Sequence, residues 1–469
     1  VKRRIILLVC VVVSVGTAWS ANWNTGRNPK NVIILVGDGM GFNQVEAGSL
    51  FLYGESGRQV FERFPVRYGC TTFSASGNGY QPDSAWTSLD YLKKRATDSG
   101  AAATAIATGT KTTNGAIGVA PDGNPVQNIL EVAEDAGMAT GVVSSVGISH
   151  ATPAGFVAHS LSRGSLESIA QEMILGSRVD VIMGAGNPWF DDNGNALAEP
   201  KSFRWVGGEQ VWKGLLLSGA RFDLDTNGTY ETTVADADGD GVPDRWELVQ
   251  TRRAFQQLAV GRTPNRVLGL PQIHETLQQK RTDQRGSNLR QDYANDEPYA
   301  VPLNEKVPTL AEMTRAAINV LDNDPDGFVL MVEGGAIDWA GHSNLGGRVI
   351  EEMVSFTEAI EAVVAWVDSA SSWDETLVVV TADHETGYLW GPGTGPGADG
   401  AVQWNPLQGR GPRRMPAMQW NSTGHTNSLV PFFAKGKCSD RFARFVDGTD
   451  PRYGQFVDNT VIFRMLTED

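Results

Sequence analysis

The chain has 469 residues, 41% of them hydrophobic, enough to bury a large α/β core as one domain or as two to three smaller ones. Its formal net charge of −15, from 39 basic against 54 acidic residues, repels polyanions and argues against a nucleic-acid partner. Small phosphate esters stay open as ligands, because bound cations reverse the local field at a site.

Lys2, Arg3 and Arg4 precede an apolar run over 5–15, and Ala18-Trp19-Ser20 offers small residues for cleavage. Residues 1–20 therefore read as a signal peptide for export to the periplasm or the extracellular space. The run is short for a spanning anchor, and no later stretch is long and apolar enough to cross a bilayer. Cys10 leaves with the signal. Cys70 and Cys438 remain, and their spacing leaves open whether they pair.

The continuous apolar run 31–36 ends in Gly-Asp-Gly, as expected for a strand buried on both faces. A helix is predicted over 128–136, then buried strands over 139–144 and 180–183. The later pattern predicts an amphipathic helix over 310–321, a strand over 328–332, a helix over 349–368 and a strand over 376–381. Strands alternating with helices predict an α/β fold, a mostly parallel central sheet flanked by helices. Ligands in such folds gather beyond the carboxyl ends of the strands, where Asp38, Glu333 and the Asp383-His384 pair stand. Residues 186–305, rich in Gly, Asn, Asp and Gln, read as a variable insertion into a single domain spanning 21–469. Residues 391–422, rich in Gly, Pro and Trp, read as a short crown-like surface loop near the site.

Four of the six histidines sit in short segments with acids or hydroxyls: 149–153, 338–342, 381–384 and 423–426. Histidine and carboxylate are the ligands of a zinc that stays catalytic. Asp338 and His342 are four apart, so one helical turn presents both to one metal. Asp98 suits a helix N-cap, which puts Ser99 in a first turn favourable to an anion. Alone that is an ordinary capped helix; among metal ligands Ser99 reads as an activated nucleophile. The 37–41 segment lacks dinucleotide-loop spacing, and Gly109-Thr110-Lys111 is no P-loop. The set reads as a metal-assisted hydrolase of phosphate esters.

A further motif lies in the insertion. Asp236, Asp238, Asp240, Asp244 and Glu247 occupy positions 1, 3, 5, 9 and 12 of an EF-hand-type loop, with Gly241 at 6. Val242 offers its backbone carbonyl. The reading is a structural calcium site, with Glu247 opening a helix toward Leu258.

The segments Gly-Asp-Gly-Met-Gly (37–41), Thr-Asp-Ser-Gly-Ala-Ala-Ala-Thr-Ala (97–105) and the stretch 151–163 ending in Arg163 resemble motifs of the alkaline phosphatase family. So do Val-Glu-Gly-Gly-Ala-Ile-Asp (332–338), Thr-Ala-Asp-His-Glu-Thr-Gly (381–387) and Gly-His-Thr (424–426). The resemblance runs from about residue 31 to the C-terminus and is weakest across 186–305 and 391–422. It implies that Ser99 is the nucleophile and Arg163 the phosphate clamp. It implies one zinc on Asp338, His342 and His425, a second on Asp38, Asp383 and His384, and a magnesium on Asp38, Thr152 and Glu333. His150 and Trp339 stand where other members have aspartate and lysine, which marks a different branch and bears on magnesium and phosphate retention. The resemblance further implies small phosphate monoesters as substrates and a homodimer. His159 and His274 read as structural. Same-fold diesterases and sulfatases are the nearest rivals, although no Cys- or Ser-x-Pro-x-Arg segment occurs. A secreted calcium-dependent binding protein is the rival from another class.

Overall fold

The computed structural model describes residues 22–24, 26–217, 221–224, 226, 233, 242–282 and 296–468. The predicted signal segment 1–20 and three calcium-loop acids, Asp236, Asp238 and Asp240, lie outside the described residues.

Among the described residues eleven strands form one sheet: β1 Asn31–Gly37, β2 Val66–Thr71, β3 Ala139–Gly147, β4 Val181–Ala185, β5 Trp246–Val249, β6 Arg266–Gly269, β7 Phe328–Gly334, β8 Thr376–Thr381, β9 Val430–Gly436, β10 Val446–Asp450 and β11 Gly454–Asp458. Their spatial order is β10-β11-β2-β9-β8-β1-β7-β3-β4-β6-β5. Seven neighbours from β8 to β5 run parallel, and only β9 and β10 oppose the common direction. Every residue of β1, β7 and β8 is buried, which is why these strands read as unbroken apolar runs. The expected mostly parallel α/β fold is what the chain adopts.

The helices that position the site are α1 Phe42–Tyr53, α2 Ser99–Thr108, α3 Ile129–Asp135, α4 Ala151–Gly155, α5 Leu310–Leu321, α6 Ala336–His342 and α7 Gly346–Ala370. Local chemistry sets several of their starts. The Thr309 side chain accepts from the Glu312 amide while the Glu312 carboxylate accepts from the Thr309 amide, a reciprocal cap that begins α5 at Leu310. Asn128 and Glu131 do the same for α3. Helix α2, built from Ala, Gly, Ser, Thr and one Ile, is buried along its whole length. Gly155 of α4 lies so close that an added Cβ would stand 2.7 Å from the Ala103 Cβ.

The inserted segment joins the main sheet through β5 and β6. Here one expectation fails: Glu247 does not open a helix. It is an exposed residue of β5, and the next helical turn begins at Arg252, where the Thr251 side chain accepts from the Ala254 amide. Parallel pairing with β6 decides this locally. Trp246 is buried, donates Nε1–H to the Ile174 carbonyl and lies under the Arg266 guanidinium at 3.8 Å. Cys70 is buried in β2, Cys438 is partly exposed, and both are free thiols. Among the described residues no helix is long and apolar enough to cross a membrane.

Candidate active site

The carboxyl ends of the central strands converge on the segments singled out above. Asp38 follows β1, Glu333 lies near the end of β7, and Asp383 and His384 follow β8. Helix α6 starts just after β7 and carries Asp338 and His342 on one face, with the His342 Nε2 3.4 Å from the Asp338 Oδ1. Gly39 makes the approach of the β1 loop to α6 possible. Its φ is +77°, and an added Cβ would stand 2.7 Å from the Asp338 Cα. The Gly39 amide donates to Asp383 Oδ1 at 3.1 Å, tying the ends of β1 and β8 together.

Ser99 is the first residue of α2. Asp98 caps the helix by accepting the Ala101 amide at 3.0 Å and with its other oxygen holds Arg163 Nη1, also at 3.0 Å. Buried Ser99 places Oγ 3.2 Å from His384 Nε2 and 3.5 Å from Arg163 Nη1. The Arg163 Nη2 lies 3.3 Å from His150 Nε2, and the His150 ring meets Trp339 at 5.6 Å in an edge-on contact.

Three histidines close around Asp338. His425 Nε2 is 3.4 Å from Asp338 Oδ1 and 3.0 Å from His342 Nε2. That distance fits an N–H···N hydrogen bond or two imidazoles presented side by side to one cation. Their Nδ1 atoms are turned outward onto backbone carbonyls, His342 onto Thr423 and His425 onto Thr97 at 2.8 Å. That is the orienting contact metal-bound imidazoles make. His384 stacks on His425 with ring centroids 3.5 Å apart, and its Nε2 lies 3.3 Å from Asp383 Oδ2 and 3.6 Å from Asp38 Oδ1. Asp38 also draws near His150 and Glu333 to form a third cluster. Thr152 is buried in the first turn of α4. All the expected zinc and magnesium residues thus gather at one end of the sheet, with Ser99 and Arg163 among them.

The electrostatics call for cations. Both Asp38 oxygens, Asp383 Oδ2, Glu333 Oε1 and Thr152 Oγ1 are buried with no hydrogen-bond partner, as is His150 Nδ1. Burial, then repulsion from Asp383, Asp338 and Glu333, pushes Asp38 well above the usual carboxylate range. Burial likewise pushes Glu333 up to about 7 and Asp383 up to about 6. Burial also acts on Asp338, but the His425 hydrogen bond and the neighbouring imidazoles outweigh it and hold the group below its usual range. Burial and the Arg163 charge bring His150 down to about 3, so it is neutral. Carboxylates crowded this way fit divalent cations: the mixed imidazole and carboxylate clusters suit zinc, and the oxygen set of Asp38, Thr152 and Glu333 suits magnesium.

Several contributors carry no signal in spacing alone. Thr386 donates to Asp338 and lies 3.3 Å from His384 Nδ1, so it steadies both clusters. Ser144 donates to Glu333, and Asp98 holds Arg163 as well as capping its helix. Of the calcium-loop residues within the described set, Val242 is exposed. Asp244 accepts from the Asn265 side chain at 3.0 Å, and its carbonyl accepts from Thr233 at 2.7 Å.

A family model described as alkaline phosphatase matches residues 29–418. The chain is 33% identical over 381 residues to alkaline phosphatase 3 of Bacillus subtilis, a match covering 80% of this chain and 64% of that protein's length. Among solved structures, alkaline phosphatase from the Antarctic bacterium TAB5 is similar with a TM-score of 0.59 at 25% identity, over 94% of this chain and 98% of that one. Cold-active alkaline phosphatase from a psychrophilic Shewanella gives a TM-score of 0.61 at 26% identity, over 93% and 98%. A TAB5 variant with one histidine replaced by aspartate carries magnesium in its M3 site. With the matched segment covering most of the chain and the same motifs clustered at its strand ends, this protein belongs to the alkaline phosphatase family.

Proposed function

We propose that the protein is an exported, metal-dependent hydrolase of phosphate monoesters that releases inorganic phosphate through a phosphoserine on Ser99. The observation that carries this reading is the position of Ser99 Oγ, 3.2 Å from His384 Nε2 and 3.5 Å from Arg163 Nη1 at a helix N-terminus. In this reading Asp338, His342 and His425 hold one zinc, Asp38, Asp383 and His384 a second, and Asp38, Thr152 and Glu333 a magnesium. When bound, these ions supply Lewis acidity and make the serine hydroxyl a competent nucleophile at neutral to alkaline pH.

The chain's own residues do the rest. Arg163, oriented by Asp98, offers a planar fork to two non-bridging phosphoryl oxygens. The free amides at the start of α2 and its dipole favour the same anion. Ser99 Oγ attacks phosphorus, the ester oxygen leaves with its alcohol, and water then cleaves the seryl phosphate to restore the hydroxyl. Neutral His150 keeps Arg163 in place without adding charge. It also stands in the Asp38–Glu333 cluster, the neighbourhood assigned here to magnesium.

Further parts of the proposal are residues 1–20 as a cleaved export signal, a homodimer, and a structural calcium ion in the 236–247 loop. In that loop Glu247 would bind from a strand rather than from a helix. The test is phosphate release from aryl monoester, diester and sulfate, before and after chelation, for wild type and Ser99→Ala. Chelation-sensitive monoester turnover that falls by at least ~10³-fold in Ser99→Ala is expected. Full turnover by Ser99→Ala refutes the assignment.

A further inference from the structure

A cleft of about 920 Å³ opens beside the metal-ligand cluster. Arg163, His150, Asp338 and His342 form one wall, and the inserted segment forms the other. With the transferred phosphoryl group on Ser99 and Arg163, this cleft is the space open to the alcohol half of a substrate. That wall is polar. Asn193 and Thr282 hold each other through two hydrogen bonds of 2.9 and 2.8 Å.

Among the described residues lining the cleft, Arg163 and Lys280 are the two permanent cations. Lys280 Nζ lies 4.9 Å from the centroid of the Trp339 ring, the same ring that His150 meets. Its ion-pair partner Glu275 is not part of the cleft lining and also pairs with Arg204 at 2.9 Å, so one carboxylate is divided between two cations. Two acids, Asp191 and Asp192, also line this wall. Asp192 pairs with Lys201 at 3.0 Å and accepts the Glu275 amide, while Asp191 accepts the Asn193 and Asn195 amides within its own turn. Lys280 thus shares its carboxylate partner with Arg204 and stands on a flexible stem, half-exposed on the inserted wall of the cleft.

We propose that Lys280 binds a second anionic group on the alcohol half, so that the preferred substrates are small polar esters bearing two anionic groups, such as polyol bisphosphates. This rests on the phosphomonoesterase reading. The experiment measures kcat and KM of wild type, Lys280→Ala and Lys280→Arg on fructose 1,6-bisphosphate and on 4-nitrophenyl phosphate, with thermal midpoints for each protein. A charge-assisted contact of this kind predicts that the kcat/KM ratio of bisphosphate to nitrophenyl ester falls roughly tenfold in Lys280→Ala, carried by KM, and recovers in Lys280→Arg. An unchanged ratio, whether both substrates suffer equally or neither does, overturns the assignment to the alcohol half. A wild type inactive on both esters overturns the hydrolase reading itself and this proposal with it.

Discussion

The stability that bound metal adds to the protein should grow as pH rises through the weakly acidic range. Burial raises Glu333 from 4.5 to about 7 and Asp383 from 3.8 to about 6 in the metal-free fold. A group whose folded pKa lies above its unfolded one stabilises the fold fully below the unfolded value. That contribution disappears as pH climbs through the folded value. For Glu333 the window runs from about pH 4.5 to about 7, and the loss is on the order of 3 kcal/mol. Metal binding works in the opposite sense, since it requires the ionised carboxylates and strengthens over the same interval. The assay is denaturant or thermal unfolding of chelated and of zinc- and magnesium-loaded protein between pH 5 and 8. Buried carboxyls outside the site, such as Asp180, Glu134 and Glu352, are also raised, but they act on both forms alike. The stability gap between loaded and chelated protein should widen by several kcal/mol across this window. A gap that stays constant or narrows would refute the assignment of these acids to a cation site.

Gly39→Ala must place a Cβ at positive φ and 2.7 Å from the Asp338 Cα. The backbone term and the overpacking together should cost about 2–5 kcal/mol, seen as a lower unfolding midpoint with weakened zinc retention. A variant as stable and as metal-rich as wild type would contradict the close approach. His150→Asp adds a carboxylate to the Asp38–Glu333 cluster and should tighten magnesium binding by about tenfold or more, read by magnesium titration of activity and by calorimetry. Unchanged or weaker magnesium affinity would count against His150 as part of that neighbourhood.

The site was more legible than the edges of the fold. Strands β1, β7 and β8 are buried on both faces and announce themselves as apolar runs, and their terminal acids follow directly from chain order. Helix α5 was readable to the residue because its cap is local. Strands β2, β9, β10 and β11 were not readable, because their pairing partners lie far away in sequence; β2, for example, is flanked by strands near 430 and 455. Glu247 shows the same physics. Its acid spacing pointed to a loop-and-helix unit, while the burial of Trp246 and the pairing with β6 impose a strand. The roles of Thr386, Ser144 and Asp98 depend on side-chain geometry across the sheet end, which spacing does not encode.

Anomalous diffraction at the zinc edge from crystals of loaded protein addresses the central proposition most directly. Two peaks are expected roughly 4 Å apart. One should lie within about 2.0–2.2 Å of the imidazole nitrogens of His342 and His425 and the other at that distance from His384, with the hydroxyl of Ser99 turned toward the pair. Zinc bound elsewhere, or Ser99 facing away from both peaks, would contradict it.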